Sequence, residues 1–222
     1  MFLLRIEKYF DHTLLKPEAK ASDIKKLCQE AKDYGFYAVC VNSSYVGKAK
    51  EYLGDFDVKI ASVIGFPLGA SDTETKVFET RNAIKNGATE IDMVINIGYL
   101  KDRDIAYVQQ DIHSVVRACG DKALLKVILE TGLLSEEEII LACQVAKEAG
   151  ADFVKTSTGF LGEGAKVEHI KLMRETVGEN MQIKASGGIR DLKKALSLIE
   201  AGANRIGASA TVSIMEEYKN RI

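Results

Sequence analysis

Four short apolar segments each carry one ionisable side chain: Asp92 in Ile91–Ile95, Lys126 in Leu124–Leu129, Lys155 in Phe153–Lys155 and Lys184 in Gln182–Lys184. A lysine buried in such a segment is costly unless it is paired or used, so this grouping points to a site. Free lysine titrates near 10.4, which leaves roughly one molecule in a thousand as the neutral nucleophile at pH 7.4. Burial and a neighbouring ammonium both disfavour the charged form. A fall of about three units would leave roughly half the lysine neutral, for about 4 kcal/mol of differential interaction. Such an amine forms imines with carbonyl substrates, and a nearby carboxylate can move the protons. The residues alone do not say which lysine attacks. A buried ion-pair network is the competing reading.

A second candidate is an anion cradle. Ser186-Gly-Gly-Ile189 follows one of these segments, and Gly207-Ala-Ser209 follows Arg205–Ile206 and opens the last helix. Glycines let backbone N–H groups approach an anion, and a helix N-terminus adds a favourable dipole. His12, His113 and His169 are too scattered for a zinc triad, so no metal or other cofactor is expected. Cys40 ends its segment and could border the pocket, although a buried structural thiol is the plainer reading.

These residues need elements to position them. Amphipathic stretches end at Gly35, Gly54, Gly87, Gly120, Gly150, Gly178 and Gly202, and a short apolar run follows each. The junctions Asn86-Gly-Ala-Thr-Glu-Ile-Asp92, Ala149-Gly-Ala-Asp-Phe-Val-Lys155 and Ala201-Gly-Ala-Asn-Arg-Ile-Gly207 nearly repeat. Ser71 with Glu74 and Ser135 with Glu138 fit capping boxes. Ile24, Leu27, Cys28 and Ala31 recur at helical spacing. The remaining runs, Phe36–Val41, Val58–Ile64 and Arg205–Ile206, bring the strands to seven. Helix-separated apolar strands imply a parallel sheet covered on both faces. An eighth strand near Phe10–Leu15 would close a (β/α)8 barrel; seven would leave an open sheet. No GxGxxG follows any strand, so a dinucleotide fold lacks its fingerprint.

The chain has 222 residues, 46% hydrophobic and 28% charged, with a net charge of −2. This suits one domain spanning 1–222, and neither charge sign favours a nucleic acid or a membrane surface. Met1-Phe-Leu-Leu-Arg5 is too short an apolar run for a signal peptide, and no stretch approaches the roughly 18 apolar residues of a membrane span. Cys28, Cys40, Cys119 and Cys143 lack CxxC pairing, as expected of reduced thiols in a cytoplasmic protein.

The motifs Asp11-His-Thr-Leu-Leu-Lys-Pro17, Leu125-Lys-Val-Ile-Leu-Glu-Thr131, Val154-Lys-Thr-Ser-Thr-Gly159, Ile183-Lys-Ala-Ser-Gly-Gly188 and Arg205-Ile-Gly-Ala-Ser209 resemble those of the deoxyribose-phosphate aldolase family, in its order, from about Tyr9 to Ser213. The resemblance implies a single TIM (β/α)8 barrel whose first strand is Asp11–Leu15. It makes Lys155 the Schiff-base lysine, Lys184 the neighbour that lowers its pKa, and Asp92 the proton donor and acceptor. Lys126 receives an electrostatic or positioning role. Gly159, Gly187, Gly188, Gly207 and Ser209 match phosphate-contacting positions.

The implied reaction is reversible cleavage of 2-deoxy-D-ribose 5-phosphate to glyceraldehyde 3-phosphate and acetaldehyde, with Lys155 attacking C1 and the C3–C4 bond breaking. The expected partners are a phosphorylated sugar and a second copy of the chain, as a homodimer. Two departures stand out. Phe160 replaces a lysine that some members place after the Thr-Gly pair, which shifts phosphate binding toward backbone donors with Arg190 as helper. The chain stops at Ile222 without the tyrosine-ended tail of longer members, so a tail-assisted proton step is not expected. Another imine-forming aldolase, a phosphate-binding isomerase and a non-catalytic sugar-phosphate sensor are the rival readings.

Overall fold

A computed structural model describes residues 5–221; the expectations that fall on Met1–Leu4 and Ile222 lie outside the described residues. Eight parallel strands close a barrel in chain order, with β1 (Phe10–Leu14) pairing both β2 (Ala38–Val41) and β8 (Arg205–Ala208). Between these run β3 (Lys59–Ile64), β4 (Glu90–Val94), β5 (Leu124–Ile128), β6 (Phe153–Lys155) and β7 (Gln182–Ser186). The open-sheet alternative is thereby excluded.

Helices connect the strands outside the barrel: α1 (Ala21–Tyr34), α2 (Val46–Leu53), α3 (Thr73–Lys85), the short α4 (Ile97–Lys101), α5 (Ile105–Cys119), α6 (Glu136–Glu148), α7 (Val167–Val177), α8 (Leu192–Glu200) and α9 (Thr211–Lys219). The apolar stripe of α1 is buried as expected, and Gly35 ends that helix in the left-handed conformation (φ 68°, ψ 32°). Ser135 and Glu138 form the expected capping box of α6. The other box is corrected: Asp72, not Ser71, caps α3, its carboxylate accepting from Thr75 N at 2.8 Å. Asp at the N-cap satisfies the same orphan donors that a serine would.

The strands are not continuously apolar. Their alternation sends Val39, Ile60, Ile91, Met93, Leu125, Val127, Val154, Ile183 and Ile206 outward into the main core beneath the helices. The inward positions divide in two. Cys40, Ala61 and Val63, with Leu15 just past β1, form a small apolar cluster. Asp11, Glu90, Asp92, Lys126, Lys155, Lys184 and Arg205, all buried, share the remaining inward positions with Phe153, Ile128 and a few smaller residues. Layers of bulky branched side chains fill most barrels of this type, so a largely charged interior is a departure that requires mutual pairing.

Charge is also buried outside the barrel. Between α3 and α5, Lys76 Nζ donates to Asp111 Oδ2 at 2.6 Å, and Thr73 Oγ1 donates to Oδ1 at 2.8 Å. Burial pushes the Lys76 pKa down, with Asp111 opposing that shift. Removing one partner of a buried pair leaves an uncompensated charge, so Asp111→Ala should cost about 3–5 kcal/mol in urea denaturation at neutral pH. Unfolding then binds a proton that folded Lys76 resists. The penalty should therefore shrink as pH rises toward the ordinary lysine value near 10.4. A loss below about 1 kcal/mol would show the pair to be dispensable.

Candidate active site

Strand register brings the charged residues together. Asp92 is the Cα partner of Lys126, Lys155 of Lys184, and Lys184 of Arg205. Asp92 Oδ2 accepts from Lys155 Nζ and from Lys184 Nζ, both at 2.8 Å, while Oδ1 accepts from Lys126 at 2.9 Å. Lys184 also donates to Asp11 Oδ2 at 2.5 Å, and Lys126 to Glu90 Oε2 at 2.5 Å. Arg205 closes the ring by donating to Asp11 Oδ1 at 2.8 Å and reaching Glu90 Oε2 at 3.3 Å. Beneath it the Arg205 guanidinium stacks on Tyr37, 3.5 Å from the ring centroid.

Asp11, Glu90 and Asp92 make three carboxylates, and Lys126, Lys155, Lys184 and Arg205 make four cations. The ring is neutral only if one lysine gives up its proton, and an unbalanced charge is expensive in a low-dielectric interior. Lys126 and Lys184 each hold two carboxylates, but Lys155 holds only Asp92.

Lys155 is therefore the cation least compensated. Burial first, with Lys184 adding to it against the pull of Asp92, holds the Lys155 pKa below the ordinary lysine range. For Lys184, burial is outweighed by Asp11 and Asp92, which keep it firmly protonated, and Asp92 with Glu90 does the same for Lys126. Burial would raise the carboxyls of Asp11 and Asp92. The surrounding cations prevail, bringing Asp11 to about 2 and Asp92 well below its usual range.

Above the ring lies a cleft of about 240 Å³ at the C-terminal end of the strands, lined by Lys155, Gly159, Gly187, Gly188, Gly207 and Ser209 together with Thr158, Lys16 and Arg190. All five expected phosphate-contacting residues thus share one cleft with Lys155. Asp92 and Lys184 do not line it: both are fully buried, whereas Lys155 keeps 3% exposure. Asp92, Lys126 and Lys184 occupy mid-strand positions, whereas Lys155 terminates its strand.

Gly207 also differs from expectation. It belongs to β8, and a Cβ there would come within 2.9 Å of Lys184 Cε. Its missing side chain makes room for the lysine as well as for the cleft. The neighbouring loops interlock closely: a Cβ on Gly164 would lie 2.0 Å from the Gly187 carbonyl oxygen.

Asp11, Glu90 and Arg205 are site residues that residue type and spacing do not mark, and each occupies an inward strand position. Phe160, half exposed at the cleft, meets Phe66 edge-on with centroids 5.3 Å apart. His12 faces away from the ring, bonded to Glu30 at 2.9 Å and Thr211 at 2.6 Å. Cys40 is buried near Lys184 and Lys155, and burial pushes its thiol pKa up. Among the described residues, no group of three or more His, Cys, Asp and Glu side chains is placed to hold a metal ion, and no helix is long and apolar enough to cross a membrane.

A closed (β/α)8 barrel with a deprotonation-prone lysine beneath a glycine-lined cleft has the equipment of an imine-forming lyase. Comparison with known proteins agrees. A sequence model of the family described as DeoC/LacD family aldolase matches residues 5–215. The deoxyribose-phosphate aldolase of Clostridium tetani is 60% identical over 216 residues, covering 97% of this chain and 100% of that one. The deoxyribose-phosphate aldolase of Thermococcus gammatolerans is 62% identical over 218 residues, 97% of each chain. A solved structure described as a tetrameric deoxyribose phosphate aldolase from Aeropyrum pernix has a TM-score of 0.89 at 35% identity, covering 98% of this chain and 92% of that one. The chain belongs to the DeoC/LacD family of aldolases, and it is a lyase.

The space at Gly207 offers a direct test of the ring. Gly207→Ala should leave the circular dichroism spectrum unchanged while displacing the Lys184 side chain. Aldol-cleavage activity should then fall by about tenfold or more, because small displacements in a site carry large rate penalties. Activity within about twofold of the parent would show that Lys184 does not depend on that space.

Proposed function

We propose that this aldolase cleaves 2-deoxy-D-ribose 5-phosphate to glyceraldehyde 3-phosphate and acetaldehyde through a Schiff base on Lys155. The observation that carries the mechanism is the position of Lys155: the least compensated cation of the buried ring is also its one lysine in the cleft. The substrate is that named for the C. tetani and T. gammatolerans relatives, and a phosphorylated sugar suits a cleft with Lys16, Arg190 and glycine turns at its rim.

In this reading neutral Lys155 attacks the C1 aldehyde of the open-chain sugar. The carbinolamine loses water to give an iminium. Carbon count corrects the bond expected to break: acetaldehyde retains C1 and C2, so cleavage falls at C2–C3 and not at C3–C4. The C3 hydroxyl gives up its proton, its oxygen becomes the carbonyl of glyceraldehyde 3-phosphate, and the bonding electrons pass to the iminium as an enamine. Protonation at C2 and addition of water then release acetaldehyde and restore the amine.

Asp92, held ionised by the Lys126 and Lys184 ammonium groups, takes a proton before it gives one. It receives protons at Lys155 Nζ, where it is already bonded. Lys184 acts from behind Lys155, through charge, and Lys126 holds Asp92 in place from the opposite side. Gly159, Gly187, Gly188 and Ser209, with Gly207 between them and the ring, receive the phosphate. Lys16 and Arg190 supply the positive charge that Phe160 does not.

Cytoplasmic location and self-association, as a dimer, complete the proposal. The A. pernix relative is described as tetrameric, so light scattering on the purified protein decides the copy number.

Lys155→Leu should remain folded by circular dichroism and lose aldol cleavage completely, since no other amine in the ring lines the cleft. Borohydride reduction with acetaldehyde, followed by peptide mass mapping, should place the adduct on Lys155. Activity of the variant within about tenfold of the parent, or an adduct on Lys184, would reassign the nucleophile.

A further inference from the structure

Glu130 lies just beyond β5, outside the ring, and combines two unfavourable features. Its backbone is left-handed (φ 58°, ψ 60°), a conformation that costs a residue with a side chain. Its carboxylate is buried, with Oε1 unpartnered among the described residues, and burial raises its pKa. Strain and a stranded oxygen at one residue persist only where the surroundings impose them, and such residues cluster at functional sites.

The surroundings are the strand that ends at Lys155. On either side of Glu130, Leu129 N donates to Lys155 O and Thr131 N donates to Thr156 O, both at 2.9 Å. The side chain then reaches the cleft loop. Glu130 Oε2 accepts from Thr158 N at 3.1 Å and from Thr158 Oγ1, and that same hydroxyl oxygen accepts from Phe160 N at 3.1 Å. Gly159, with φ 83°, thus stands between two pinned amides on the wall of the cleft. The pinned loop continues to the next strand, where Ala165 N donates to Ser186 O at 3.1 Å and Gly187 O at 3.0 Å.

We propose that Glu130 is a positioning residue for phosphate recognition: its carboxylate clamps Thr158 and so sets the turn at Gly159 relative to the Gly187–Gly188 turn. This rests on the sugar-phosphate reading above. Glu130 does not line the cleft, so it acts through Thr158 and not on the substrate. Glutamine at this position keeps an oxygen for both Thr158 donors. Alanine and glycine remove the clamp, and glycine also relieves the backbone.

The test compares KM and kcat for 2-deoxyribose 5-phosphate, KM for unphosphorylated 2-deoxyribose, and borohydride trapping of acetaldehyde, in the parent, E130A, E130G and E130Q. KM for the phosphorylated sugar should rise about tenfold or more in E130A and E130G, with kcat and trapping within about threefold of the parent and E130Q within about threefold throughout. Urea denaturation confirms that E130G is folded, which keeps the test valid if E130A is not. If the parent discriminates between the two sugars and E130G keeps that discrimination, the inference about Glu130 is overturned. The same holds if kcat and trapping fall in E130G while KM stays put. If the parent does not discriminate between the sugars, the phosphate reading of the cleft falls, and the role of Glu130 with it.

Discussion

The structure depends on one imbalance: four cations and three carboxylates sealed inside a barrel. Buried charge is tolerated only in mutual pairs, and an odd cation has two outcomes, a counter-charge from elsewhere or loss of its proton. One further carboxyl that interacts with Lys155, Glu130, has its pKa raised by burial and is committed to Thr158. The excess falls on Lys155, which has one carboxylate where its neighbours have two. In the proposed mechanism reactivity is thus a property of the whole ring, distributed over six of the eight strands, and the proposed nucleophile is the place where the compensation runs short.

This arrangement places around the proposed nucleophile groups that do not line the cleft. Asp92 ties together three lysines, so a change at Lys126 or Lys184 reaches Lys155 through a single carboxylate. Lys184 and Arg205 keep Asp11 ionised, and Arg205 is itself held by Glu90 with Tyr37 stacked below it. Above the ring, glycines allow loops to approach more closely than side chains would permit, as Gly164 does against Gly187. The cleft is a product of close backbone packing at the strand ends, and the electrostatics beneath it are a product of strand register.

Much of this was legible because barrels impose two periodicities. Helix-to-strand punctuation located the elements within a residue or two, and lysines inside apolar runs marked the site. Glu90 escaped because it falls one residue outside the apolar run that defined its strand. Asp11 and Arg205 escaped because a single charge at the start of a short strand looks like a solvated end; only register shows it pointing inward. Asp72 displaced Ser71 as the cap of α3 because two adjacent residues can both cap, and the choice depends on where the chain enters the helix. Glu130 lies inside one of the motifs that carry the resemblance, but nothing in its residue type or spacing marks it as a positioning residue. Its left-handed backbone and its bond to Thr158 arise from the packing of two loops. The proposal of Lys155 as the attacking lysine rests on the charge count, which needs every member of the ring.

The charge count is open to direct measurement through the ionisation of Lys155 when one cation is removed. Lys184→Leu leaves three carboxylates facing Lys126, Arg205 and Lys155, so neutrality then requires Lys155 to be charged. Loss of the repelling ammonium, and of its competition for Asp92, both raise the Lys155 pKa, while burial persists and limits the change. The pH dependence of borohydride trapping of acetaldehyde on Lys155, followed by peptide mass, reports that ionisation. The account predicts that the acidic limb moves to higher pH by about one to two units in the variant. A limb that stays in place or moves to lower pH would contradict the claim that charge imbalance in the ring sets the reactivity of Lys155.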